Sequence, residues 1–116
     1  MDLLFQRQKE IFARMQIERE IDWSQEEWVQ NLLVAMEDEI SEVRRETNWK
    51  WWKNPKPIDV PALKGEVTDL WLFLVQMTIV VGITPDELQQ LYLEKISETN
   101  ARQDGTSDRT GYEINK

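Results

Sequence analysis

Residues 24–46 read SQEEWVQNLLVAMEDEISEVRRE, and nearly every position argues for one amphipathic helix. Ser24 opens it and Glu27 follows three residues later, the spacing of a capping box. Leu32, Ala35, Met36, Ile40 and Val43 fall on one face at about 100° per residue. Two acids break that pattern. Glu39 lies inside the apolar stripe and Glu42 on its edge, three residues apart and therefore on one face. An acid pair on a helix is ordinarily a solvated face. An unpartnered carboxylate on an apolar face is expensive, so this pair asks for another explanation.

A second pair repeats the arrangement. Pro61 suits the first turn of a helix running to about residue 81. Its stripe is Leu63, Val67, Leu70, Leu74, Met77 and Val81. Glu66 falls between Leu70 and Phe73, and Asp69 sits on the flank. Two such pairs on packed helices would aim four carboxylates at one point. Like charges that close repel unless a cation lies among them. Oxygen ligands of this kind suit Mg²⁺ or Mn²⁺, and a hard cation in a helical protein is a natural site for phosphate chemistry.

The remaining segments also read as helices, so the fold class is all-α, a bundle of four to five helices. Leu3, Leu4, Ile11, Phe12 and Met15 predict a first helix over about 2–19. Gly82 is the expected stop after the third. Thr84-Pro85-Asp86-Glu87 supplies an N-cap, an N1 proline and a capping-box acid for a fourth, reaching about residue 103. Residues 1–103 form the expected domain. Residues 104–116 are rich in Gly, Ser, Thr and Asp and are expected to be a flexible tail that closes over bound ligand. Between the acid pairs, residues 47–60 hold Asn54, Pro55 and Pro57 and read as a loop. It contains Trp49-Lys50-Trp51-Trp52-Lys53. Indoles can stack on a nucleobase, and lysines can meet phosphate oxygens. The plainer reading is that the indoles pin the loop to the bundle. Trp23, Trp28 and Trp71 are expected in the core or an interface.

Composition excludes whole classes. With no histidine and no cysteine, the commonest general base, thiol nucleophiles, iron–sulfur clusters, thiolate zinc and disulfides are all absent. Absence of disulfides fits a cytoplasmic setting, and the N-terminus lacks an apolar signal-peptide core. The longest apolar stretch, 70–83, is broken by Gln76 and Thr78 and is too short to span a bilayer. A net charge of −8 argues against nucleic-acid binding. The third helix, apolar on nearly every side from 70 to 81, predicts a second subunit covering it. The alternative is that the first helix wraps it.

The order E-x-x-E, then W-K-W-W-K-N, then E-x-x-D resembles the all-α nucleoside triphosphate pyrophosphatases, a superfamily that includes the MazG-like proteins and the dimeric dUTPases. Residues 36–73 are most similar to the dimeric dUTPases. The resemblance implies that Glu39, Glu42, Glu66 and Asp69 bind Mg²⁺, with Mn²⁺ as a possible substitute, and serve catalysis. It implies that Trp49, Lys50, Trp52 and Lys53 contact substrate. On the last helix, Lys95, Asn100 and Arg102 match positions that hold phosphate. In the opening helix, Gln6 or Gln8 would read the base. Two departures stand out: Asn100 lies two residues before Arg102 where many relatives have three, and Leu72 stands where many dimeric dUTPases carry histidine.

The implied reaction is hydrolysis of a nucleoside triphosphate to the monophosphate and pyrophosphate. A carboxylate, Glu39 or Glu42, would take the proton of the attacking water. Three readings follow: a dUTP diphosphatase that cleans the nucleotide pool, a broader MazG-like pyrophosphatase acting on dCTP or non-standard nucleotides, and a metal-binding helical interaction module without turnover. The implied assembly is a homodimer or a dimer of dimers, with no nucleic-acid or membrane partner.

Overall fold

In the computed structural model, which describes residues 1–113, the capping signals become helix ends. Ser24 Oγ accepts from the Glu27 N–H and the Glu27 carboxylate accepts from the Ser24 N–H, so both halves of the capping box form. Helix α2 then runs Gln25–Arg45. Asp59 accepts from the Ala62 N–H, with a proline in the first turn, to start α3 at Val60–Val80. Gly82 follows it with φ of 85°, a left-handed conformation that costs glycine little. Thr84 caps α4, Pro85–Asp104, by accepting from the Glu87 N–H. Helix α1 covers Asp2–Glu18. Among the described residues there are four helices and no strand, so the protein is all-α.

The chain forms two compact units, one of residues 1–82 and one from residue 83 onward. In the first, α3 packs against both α1 and α2. Phe5 from α1, Leu32 from α2 and Val75 from α3 are its buried apolar side chains. Phe12, Trp28 and Trp23 add an edge-to-face chain of rings, with centroids 6.0 and 4.7 Å apart. Gln25 reaches across to donate to the Val80 carbonyl at 2.9 Å.

Two stripes read from the sequence are displaced. On α1, Leu3, Leu4, Ile11 and Met15 are exposed, while Phe5 and Gln8 are buried. On α3, Val67, Leu74 and Val81 are exposed, while Val75, Gln76 and Thr78 are buried. A helix with apolar residues on several sides has no single periodic face, so packing partners choose the buried one. Trp71 is also exposed, so the first helix does not wrap α3.

The second unit is α4 and the segment after it. Gly105 ends the helix in the left-handed conformation, φ 75°. The following residues fold back on polar contacts to α4. Ser107 Oγ donates to Glu98 at 2.7 Å, and the Arg109 N–H donates to Ser107 Oγ. The Arg102 guanidinium lies 4.4 Å from the Tyr112 ring centroid. The tail expected over 104–116 thus begins inside the last turn of α4, and residues 114–116 lie outside the described residues. No single helix among the described residues is long and apolar enough to cross a membrane.

Candidate metal centre

The α2–α3 contact brings acids from both helices together. Glu39, Glu66 and Asp69 each offer an oxygen, and these oxygens lie within 4.8 Å of one another. Oxygen Oε2 of Glu39 is buried and has no hydrogen-bond partner. Orphaned buried acceptors are rare because each costs its hydration without return. Burial raises the Glu39 carboxyl above its ordinary value, and the charges of Asp69 and Glu66 push it further. Glu66 is raised as well, by desolvation first, then by Glu42 and Asp69. The cluster therefore holds negative charge against resistance, and among the described residues no salt bridge ties its three acids to a cation, though the charge of Arg45 eases Glu66 in part. Three hard oxygen donors from two rigid helices fit a divalent cation such as Mg²⁺ or Mn²⁺.

Glu42 is on the same side but outside this trio. Its Oε1 accepts from Arg45 at 2.7 Å, an ion pair within α2. Its charge still reaches Glu66. The sequence signal for Arg45 is its i,i+3 spacing from Glu42, which is common on any helix.

The loop after α2 is closed by Asn48, which stands outside the acidic and tryptophan-lysine motifs. Its side-chain amide donates to the Lys56 carbonyl and its Oδ1 accepts from the Lys56 N–H, both at 2.9 Å. Inside this clasp the indoles pack on each other. Trp52 meets Trp49 and Trp51 edge to face, at 5.9 and 5.6 Å between centroids. Lys50 lies over the Trp49 ring at 5.4 Å. Trp51 is 86% exposed, with a ring free to stack on a ligand. Lys53 lines a hollow below the loop together with Lys50 and Trp49.

Gln6 and Gln8 separate cleanly. Gln6 is exposed and its amide donates to Glu10 at 3.3 Å. Gln8 is only 4% exposed, and its amide nitrogen has no partner. It lines an apolar hollow of about 420 Å³ between α1 and α3, with Leu4, Ile11, Trp71, Leu72 and Val75. Thr68, beside Asp69 in the chain, lines the same hollow.

Lys95, Asn100 and Arg102 lie on α4 in the second unit. Lys95 and Asn100 are exposed. Arg102 donates to Glu98 at 2.9 Å. Bonds from Ser107 and Arg102 hold the Glu98 carboxyl below its ordinary value.

A sequence model of the family described as dUTPase matches residues 1–104. No curated protein and no solved structure matches the chain.

Proposed function

The chain belongs to this dUTPase family, and from that premise we propose that it is a Mg²⁺-dependent pyrophosphohydrolase converting dUTP to dUMP and pyrophosphate. Membership makes it a nucleotide pyrophosphatase in general terms; the substrate and the metal are our reading. The observation that carries the metal is the Glu39–Glu66–Asp69 cluster, with the unpartnered buried oxygen of Glu39. Glu42, on the same helix, is the fourth ligand in this reading.

A divalent cation held there would supply positive charge to the phosphate oxygens and offset the charge that develops on them. The residues of the chain do the rest. Glu39 accepts the proton of the water that attacks at the α–β linkage. Glu39 carries a buried oxygen with no partner in the described chain, within reach of the other acids. Lys50 and Lys53 meet phosphate oxygens, and Trp49, Trp51 and Trp52 present indole faces to the nucleotide. Gln8 reads the base in the hollow beside Trp71, where its amide gains the partner it lacks. Lys95, Asn100 and Arg102 bind phosphate, and the segment after Asp104 closes over the nucleotide and excludes water.

We assign the protein to a homodimer or a dimer of dimers in the cytoplasm. Trp71, Leu72, Tyr92 and Leu93 are large apolar side chains left exposed, and a second copy would cover such surface. One observation supports the broader MazG-like reading. Leu72, in place of a histidine common in dimeric dUTPases, lines the hollow that holds Gln8. An apolar group there changes what the pocket can say to a base. The deciding experiment is pyrophosphate release from a nucleotide panel with Mg²⁺ and with Mn²⁺. Preference for dUTP supports the first reading. Preference for dCTP or altered nucleotides supports the broader one. No release with any nucleotide leaves a metal-binding module without turnover.

A further inference from the structure

Arg45 stands at the border of two opposite environments. Its Nη1 donates to Glu42 at 2.7 Å, on the fringe of the acid cluster. The same side chain lines the hollow of about 310 Å³ below the tryptophan loop, with Lys50, Lys53 and Lys56. Among the described residues no acid lines that hollow. Its rim is fixed by the two hydrogen bonds from Asn48 to the Lys56 backbone. The Arg45 side chain is 63% exposed, so no packing encloses it.

These two environments compete for one guanidinium. A cation on Glu42 would neutralise that carboxylate and repel Arg45. A polyphosphate in the hollow would offer it a bidentate anionic partner, which lysines meet only as point charges. Resting on the reading that the acids hold a divalent cation and turn over a triphosphate, we propose that Arg45 is an exchanging ligand. It pairs with Glu42 in the nucleotide-free protein and swings into the lysine-lined hollow to bind a phosphate of the substrate when metal takes Glu42. Metal and phosphate binding are then coupled through this one side chain, each favouring the other.

The test has two arms, neither of which needs turnover. In the first, Mn²⁺ is titrated by electron paramagnetic resonance into nucleotide-free wild type and Arg45→Gln. Removing the competitor for Glu42 should tighten Mn²⁺ by about threefold, the scale of an exposed ion pair. In the second, inorganic pyrophosphate binding is measured by calorimetry without metal. Glu42→Gln frees Arg45 for the hollow and should tighten pyrophosphate by about tenfold. The double variant Glu42→Gln/Arg45→Gln should lose that gain, which separates Arg45 from a general easing of negative charge. Circular dichroism confirms that each variant keeps its helices. Unchanged or weaker Mn²⁺ binding by Arg45→Gln overturns the exchange, and so does a double variant that keeps the pyrophosphate gain. If wild type binds Mn²⁺ and only these variants fail, the exchange alone falls. If wild type binds no Mn²⁺, the metal reading falls and the exchange with it.

Discussion

Replacing Glu39 by Gln should stabilise the metal-free protein while disabling it. The side chain keeps its shape and loses its charge. In the folded chain its oxygen lies within 4.8 Å of oxygens on Glu66 and Asp69. Two unit charges at that spacing repel by about 0.9 kcal/mol in water. Two such neighbours, screened by salt and solvent, put the relief on the order of 1 kcal/mol. In a domain of this size that raises Tm by roughly 3–6 °C. Metal reverses the ranking. At a concentration of about 100 times Kd, a cation that binds only the folded state contributes about 2.7 kcal/mol to wild type. The variant, short of a ligand, should lose most of that gain, and pyrophosphate release should fall at least about 100-fold. Thermal melts in EDTA and in Mg²⁺, with a pyrophosphate assay, check all three. An unchanged Tm in EDTA together with an intact Mg²⁺ shift would refute the cluster as a metal site.

Other perturbations test the neighbouring parts. Trp51→Ala should weaken nucleotide binding by about 1–3 kcal/mol if that exposed ring stacks on a base, while leaving Tm unchanged. Trp52→Ala should cost both binding and loop order, since Trp52 contacts both neighbouring indoles; unchanged KM in both variants would make the loop structural only. Gln8→Met should raise Tm, because it removes a buried amide without a partner at a cost of about 1–3 kcal/mol, and should lower kcat/KM for dUTP by about tenfold or more; equal activity would remove Gln8 from base reading. Finally, Glu39 and Glu66 have folded values raised above the ordinary 4.5, so the folded chain holds their protons more tightly than the unfolded chain. Metal-free stability should therefore rise as pH is lowered from neutral through those raised values toward 4.5, whereas the stabilising contribution of Glu98, held low, is lost only below 4.5. Saturating Mg²⁺ at neutral pH should flatten this dependence, and melts across pH with and without EDTA would show it.

What was legible in the sequence was what local chemistry decides. Ser24 with Glu27, Pro61, and Thr84 with Pro85 all sit at helix starts, because cap and first-turn chemistry acts wherever the chain later packs; the Asp59 cap joins them in the structure. The end of α1, expected near residue 19, falls at Glu18. Glu20 occupies the left-handed position there, φ 52°, and the Ile21 N–H closes back on the Gln16 carbonyl, without the glycine that usually marks such a stop. The site was legible to the degree that spacing on one helix decides it. Glu39 within its stripe and Glu66 between apolar neighbours forecast that both would be shielded. That Gln8 is buried and Gln6 exposed depends on which side of α1 meets α3. The Arg45–Glu42 pair and the Asn48 clasp depend on side-chain direction and loop closure, which no periodicity encodes.

The same facts bear on why this chain tolerates such a cluster. Few apolar side chains are fully buried, and two carboxyls sit where folding works against their ionisation. An isolated domain with so little enclosed core has a small margin against repulsion among its acids. Two terms can widen the margin without altering the fold. One is a cation, which converts the repulsion among the acids into attraction. The other is a second copy, which in the proposed assembly would remove Trp71 and Leu72 from water. Both act only on the folded chain. In the proposed reading the folded state best stabilised is the metal-loaded, assembled one, which is also the active one. Filling the core or neutralising the acids would strengthen the empty chain, but neutralisation would also remove the charge on which the proposed chemistry depends.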